Sequence, residues 1–329
     1  MTSVFKKKSY TFLVTGQVLA HFTQQTGSRL TPYFYDRSCP RLPFIVAEQV
    51  YQAALADPRM PASLLRLFFH DCFVNGCDAS VLLSGNEQLA FPNVNSLRGF
   101  NVIANIKAAV ERACPNTVSC ADILAIAARD SVVLASRPFV NPGWPVLLGR
   151  RDSLTASEAA ANADLPSPFS NVAQLNANFA RVGLSPQDVV VLSGAHTFGR
   201  VHCTTLDPSL YPTTDPLLNA AYAKQLKTEC PNGANPADIT NLDPVTPNRF
   251  DNQYYRNLQV GKGTLFSDRV LFNTTGESRN LVNELAPLFG TYGFFYEFGV
   301  SMVKMGNISP LTGTQGEIRK ICSQPNSGY

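Results

Sequence analysis

The sequence predicts a mostly α-helical fold with little strand, built as a single domain. Three observations carry that reading. Apolar residues recur at three- and four-residue spacing through most of the chain between Ile45 and Met305, the period of a helix that buries one face. Strand-like runs are short, the best being Val146-Leu147-Leu148. The connections at residues 136–145, 165–170, 232–236 and 243–248 are rich in Pro, Gly and Asn, and none is long enough to separate two domains cleanly.

The elements follow in order. Residues 45–56 form the first amphipathic segment, stopped by Asp57-Pro58 because a proline disfavours helical backbone in the residue before it. Met60-Pro61 opens the second, where proline's missing N–H is harmless, and its pattern runs on through Phe73. Residues 100–114 form the third, ended at Pro115. Ser119 is a candidate N-cap for a fourth at 119–135, with Asp122 placed to complete a capping box. Segments at 175–182, 186–193, 216–230, 251–258, 281–289 and 293–305 complete the set.

With 45% hydrophobic and 16% charged residues in 329, the chain is too apolar for disorder and long enough to bury a sizeable core. Its net charge is only +3, and Lys6, Lys7 and Lys8 account for all of it. That argues against a nucleic-acid surface or a polybasic membrane tether. The same lysines precede a patchy apolar stretch at 10–22, so residues 1–23 read as a signal peptide cleaved between 23 and 28, leaving a domain from 24 to 329. No other stretch approaches the roughly 18 apolar residues that cross a membrane.

The eight cysteines, Cys39, Cys72, Cys77, Cys114, Cys120, Cys203, Cys230 and Cys322, are even in number and include no CxxC pair. They read as four disulfides of an exported protein rather than zinc ligands, with connectivity left open by spacing. Asn273 and Asn307 begin glycosylation acceptor triplets, the second weakened by Pro310. The short tail after Cys322 tilts the destination toward cell wall or extracellular space rather than vacuole.

Arg66, Phe69 and His70 share one face of the second helix. An Arg and a His on so apolar a helix are expensive unless they line a cavity or are paired, and composition alone favours a buried ion pair with a core histidine. The residues that follow shift the balance. Asp71, Asp78 and Ser80 offer hard oxygens, and Asn75-Gly76 turns backbone carbonyls such as that of Val74 inward. A bridge from Cys72 to Cys77 would close this loop around a calcium ion, in a spacing unlike an EF-hand. The alternative is an acidic disulfide loop with no metal.

The run from Arg66 to Ser80, RLFFHDCFVNGCDAS, resembles the distal signature of the plant secretory (class III) haem peroxidases. The likeness extends from about Arg29 through NSLRG (95–99), TVSCA (117–121), LGRRDS (148–153), LSGAHTFG (192–199), FDNQYY (250–255) and MGNISPLTGTQG (305–316). It implies a haem held between a distal half, about 29–165, and a proximal half, about 166–329. Hydrogen peroxide would be reduced to water, and small phenolic or other aromatic donors oxidised in successive one-electron steps through high-valent iron. By the same match His196 is the proximal iron ligand, and Asp268 accepts a hydrogen bond from its other ring nitrogen, pushing electron density onto iron. His70 acts as base and then acid, Arg66 stabilises charge as the O–O bond breaks, and Asn93 holds His70. Phe69 and Phe198 flank the haem, and the carbonyl of Pro166 helps to hold donors at its edge.

The resemblance further implies a distal calcium on Asp71, Val74, Gly76, Asp78 and Ser80, with Glu87 reaching it through water. A proximal calcium falls to Thr197, Asp243, Thr246, the carbonyl of Arg249, and Asp251. The implied disulfides are Cys39–Cys114, Cys72–Cys77, Cys120–Cys322 and Cys203–Cys230. The absence of CxxCH makes the haem a non-covalent haem b. A monomer is expected, and His202, which is at no family catalytic position, is expected to be a surface or loop residue. The chain departs from the family pattern in a shorter loop at 83–87, a longer one at 136–144 and a shorter one at 206–215 near the donor entrance. The competing readings are a haem-binding relative with little activity, and an exported hydrolase or calcium protein without haem. The missing GxSxG elbow argues against the hydrolase.

Overall fold

The computed structural model describes residues 30–138 and 141–326, so the expected signal peptide and its cleavage region lie outside the described residues. The first half is a helical bundle of α1 (Leu42–Ala56), α2 (Met60–Cys72), α3 (Phe100–Ala113) and α4 (Cys120–Ala135). α4 is buried on nearly every face, with α2 lying along it and α1 packed on both α3 and α4. A helix apolar all round belongs at the centre of a bundle, and α4 sits there.

Ser119 caps α4 as expected, its hydroxyl accepting from the Asp122 amide at 3.1 Å. The reciprocal half of the box does not form. Asp122 instead accepts from the Tyr35 hydroxyl at 2.8 Å and the Gly149 amide at 2.7 Å, and pairs with Arg150 at 2.8 Å. The amides of Cys120 and Ala121, orphaned at the helix start, donate to Asp152. The stretch LGRRDS is therefore a clamp on the start of α4. Its buried charges persist because each has fixed partners.

The first half also holds α5 (Glu158–Asp164), packed on the turn at Asn86–Leu89. The second half holds α6 (Val172–Arg181), α7 (Pro186–Ser193), α8 (Cys203–Leu210), α9 (Ala220–Glu229), α10 (Gln253–Gln259), α11 (Phe266–Asn273), α12 (Glu277–Leu285) and α13 (Gly290–Met305). α7 is its centre, packed against α6, α12 and α13. Strand is confined to β1 (Arg200–His202), antiparallel to β2 (Ile239–Asn241). His202 ends β1, half-buried, with Nδ1 2.8 Å from the Pro236 carbonyl oxygen, and the strand-like run at 146–148 forms one bridge, between Leu148 and Thr31.

One continuous apolar core runs from Tyr35 to Cys322. A smaller cluster under α8 and α9 is stapled by Cys203–Cys230. The other bridges are Cys39–Cys114, Cys72–Cys77 and Cys120–Cys322, and no described cysteine is free. After Met305 the chain crosses back to the first half: the Cys77 amide donates to the Ile308 carbonyl at 3.0 Å, and Cys322 reaches Cys120. No described helix is long and apolar enough to cross a membrane.

Candidate active site

On the side that carries Arg66, α2 meets the second half near each end, while Phe68 on another face packs beside Gly306. A Cβ built on Gly199 would lie 3.1 Å from that of Ala62, and the ring of Phe73 meets that of Phe179 on α6 at 5.0 Å. Between these points runs the face bearing Arg66, Phe69 and His70. Arg66 is exposed and Phe69 half-buried, whereas Leu64, Leu65, Leu67 and Phe68 are buried. The two halves therefore touch at both ends of α2 and leave a cleft along its middle.

Arg66 donates to the Ser96 carbonyl at 3.0 Å, the Pro92 carbonyl at 3.0 Å and the Ser96 hydroxyl at 3.1 Å. Among the described residues it has no carboxylate partner, so the expected alternative of a buried ion pair is not what forms. The guanidinium is open on the cleft side yet hemmed in by protein, with no carboxylate to compensate its charge, and that loss of solvation lowers its pKa to about 10 without neutralising it at pH 7.

His70 Nδ1 lies 2.6 Å from Asn93 Oδ1, and Asn93 Nδ2 donates to the Glu87 carbonyl at 2.8 Å. The carbonyl admits only a donor, which sets the Asn93 amide and puts the His70 proton on Nδ1. His70 Nε2 keeps its lone pair. Burial first, and then the charge of Arg66, push the His70 pKa well below its ordinary value, while the Asn93 bond opposes them. The imidazole is neutral at pH 7 and is a base.

On the second half, α7 ends in a tight turn, Gly194–Thr197, that presents His196. Only glycine fits at its start, since a Cβ on Gly194 would lie 2.5 Å from the Phe294 ring. His196 Nδ1 is 2.8 Å from Asp268 Oδ1 on α11, and Nε2 has no partner among the described residues. Asp268 is buried, with Oδ2 accepting from the Leu265 amide at 3.1 Å and Oδ1 also from the Tyr254 hydroxyl at 2.9 Å. Phe198 is buried, its ring 5.5 Å from that of Phe250.

Both expected calcium loops close around oxygen. In the first, Asp71 Oδ2 accepts from the Ala79 amide at 3.0 Å, and Ser80 Oγ lies 3.4 Å from Glu87 Oε1. Asn75 and Gly76 take positive φ, 65° and 124°, turning the backbone through the loop. Burial, reinforced by neighbouring carboxylates, pushes Asp71 well above the usual range, and burial drives Asp78 up to about 6 and Glu87 up to about 7. In the second, the hydroxyls of Thr197 and Thr246 each donate to Asp251 Oδ1 at 3.2 Å, and the Val245 and Thr246 amides donate to Asp243 Oδ1. The Arg249 guanidinium stands 3.8 Å from Asp251 Oδ2. Each loop holds one buried carboxylate oxygen with no hydrogen bond, Asp71 Oδ1 and Asp243 Oδ2. No three described His, Cys, Asp or Glu side chains form a metal site by themselves. Any cation here draws on carbonyls and hydroxyls too, as hard oxygen-seeking ions do.

A haem also needs a place for its carboxylates, which the sequence reading missed. Asp57 accepts from Arg98 at 2.5 Å, while burial, and then the charge of a neighbouring guanidinium, lowers the pKa of Arg59 (beside Arg98) and of Arg200 (beside Arg59). Arg59 Nε and Arg98 Nη1 are buried without partners. Three guanidiniums against one carboxylate, one residue before α2 and beside Gly199, suit the anionic edge of a haem. The signal was present, since Arg59 directly precedes α2 and Arg98 lies within NSLRG. Pro166 is half-buried beyond α5, and its carbonyl accepts from no described residue. Its loop is pinned to α11 by the Ser267 amide donating to the Pro168 carbonyl at 3.0 Å.

A neutral base on one wall needs an electrophile on the other, and an imidazole backed by a buried carboxylate is how iron is held strongly enough to cleave peroxide. The class so defined is the haem peroxidases. A family model described as peroxidase matches residues 46–287. Peroxidase 2 of Oryza sativa subsp. indica is 52% identical over 311 residues, covering 94% of this chain and 96% of that protein. Peroxidase 15 of Ipomoea batatas is 49% identical over 93% of this chain and 95% of its own, and Peroxidase 23 of Arabidopsis thaliana is 49% identical over 95% and 91%. The chain belongs to the plant class III peroxidase family and is an enzyme that uses hydrogen peroxide to oxidise a donor.

Proposed function

We propose that the protein is an exported, monomeric peroxidase of small phenolic donors, carrying a non-covalent haem b and two calcium ions in one domain of two halves. One observation carries the assignment of roles: the two histidines have contrasting partners. His70 leans on a neutral amide and stays a base, whereas His196 leans on a carboxylate and gains negative character. Bound through His196, haem supplies the iron at which the O–O bond breaks and the centre that draws electrons from the donor.

The chain's own residues do the rest. His70 Nε2 takes the proton from the peroxide oxygen that stays and returns it to the oxygen that leaves, so that water departs. Arg66, charged and already oriented by carbonyls, stabilises the negative charge that grows as the bond stretches. Asn93 keeps the His70 proton on Nδ1, and Asn93 is itself held by the Glu87 carbonyl, whose own side chain joins the distal calcium cluster. The free carbonyl of Pro166 suits a phenolic O–H. The orphaned oxygens of Asp71 and Asp243 support one calcium in each loop. Four disulfides support an oxidising destination. Asn273 is exposed and suits a glycan, whereas Asn307 is half-buried; both side-chain amides donate to a carbonyl four residues back, that of Arg269 and that of Val303.

The absorption spectrum of the secreted protein, before and after one equivalent of peroxide, tests this. A haem band that peroxide alters and a phenol restores is expected in the native enzyme. His70→Ala should keep the band but lose the fast response, and His196→Ala should change the band itself. An unaltered spectrum in His196→Ala would mean a different ligand.

A further inference from the structure

Asp268 Oδ1 is a shared acceptor. It lies 2.8 Å from His196 Nδ1 and 2.9 Å from the Tyr254 hydroxyl. Asp268 is 2% exposed and Tyr254 3%, so water does not stand in for either bond. The phenol ring is held edge-on to the His196 imidazole at 6.3 Å and to the Tyr255 ring at 5.1 Å. Tyr254 lies in the first turn of α10, far in sequence from both partners.

An acceptor oxygen divides its charge among its donors, and a donor added in a low-dielectric site weakens its neighbour's claim. We infer that Tyr254 is a positioning residue for the peroxidase reaction: its hydroxyl draws charge from Asp268 Oδ1 and so limits how anionic His196 becomes. The inference rests on His196 being the iron ligand. A strongly anionic imidazole favours O–O cleavage but lowers the reduction potential of the iron, leaving a weaker oxidant for donors. Sharing the carboxylate oxygen with Tyr254 sets a point between those demands. The bland alternative is a buried hydroxyl that has simply found an acceptor. It predicts a loss of stability when the hydroxyl is removed, with no change at the iron.

The test uses the holoenzyme. Tyr254→Phe keeps the ring and removes only the hydroxyl. Two readouts that simple packing would not move are the iron–imidazole stretching band of the ferrous enzyme and the ferric/ferrous midpoint potential. The band should rise in frequency and the potential shift negative. In an Asp268→Asn background the same change should move neither. Should Tyr254→Phe fail to accumulate, 3-fluorotyrosine placed at position 254 supplies a stronger donor and predicts shifts of opposite sign. An iron–imidazole band that Tyr254→Phe leaves in place overturns the inference while keeping the ligand. Equal shifts with and without the Asp268 carboxylate overturn it too. A native enzyme without any iron–imidazole band removes His196 as ligand, and the inference falls with it.

Discussion

Replacing Asn93 with leucine isolates the amide's role, because leucine fills a similar volume without an acceptor. Asn93 is 2% exposed, so little room is left for water to replace it. The His70 Nδ1–H then loses its partner, the Asn93 oxygen at 2.6 Å, just when proton transfer to Nε2 makes the ring a cation. A buried donor left unsatisfied costs about 1–3 kcal/mol. At roughly 1.4 kcal/mol per tenfold in rate, the reaction with peroxide should slow by about 10- to 100-fold. The pH dependence has a definite sign. The Asn93 bond raises the His70 pKa, so removing it lowers that pKa further, and the acid limb of the rate profile should move to lower pH while the plateau falls. Stopped-flow measurement of the second-order rate constant with peroxide, from acid to neutral pH, reads both effects. A plateau within about twofold of the native value and an unmoved limb, with haem still bound, would refute the role given to Asn93.

Other outcomes follow from the same geometry. Burial depresses His70 most and the Arg66 charge adds to it, so Arg66→Leu should raise the acid limb part of the way toward the ordinary histidine value near 6.5 while the plateau drops by about 100-fold; a limb that stays put would separate the two side chains. His70→Ala should slow the peroxide reaction by about 100- to 10,000-fold with the haem band retained, and near-native rates would sink its assignment. Asp71→Asn and Asp243→Asn should each lose one equivalent of calcium by metal analysis, and chelation should lower the melting temperature of the native enzyme. Two calcium ions retained in either variant would withdraw that loop.

The first-half helices were legible because each is long, amphipathic and punctuated: α1 stops at Asp57-Pro58, α2 starts at Met60-Pro61, and α3 ends at Cys114-Pro115. α5, α8 and α11 were not foreseen. They span seven or eight residues, so periodicity has few turns to register, and α8 also carries Pro208 within it; α7 and α10 are as short but were legible at 186–193 and 251–258. The distal residues Arg66 and His70 were readable on one helix face. The residues that tune the two histidines were legible only through family resemblance or not at all, since Asn93 lies 23 residues from His70 and Asp268 lies 72 from His196.

Chain order alone therefore settles what depends on neighbours within a turn or two: helix starts and stops, the shared face of Arg66, Phe69 and His70, and the loop between Cys72 and Cys77. The rest is decided by contacts whose partners are remote. Asp122 turned from a capping box to Arg150 and Tyr35, because burial rewards the stronger ionic partner over the local one. Arg59, Arg98 and Arg200 converged on Asp57, and Tyr254 came to share the oxygen that charges His196. A polar side chain in a dry interior takes its character from whatever donors and acceptors the packing delivers, and no local pattern encodes that delivery.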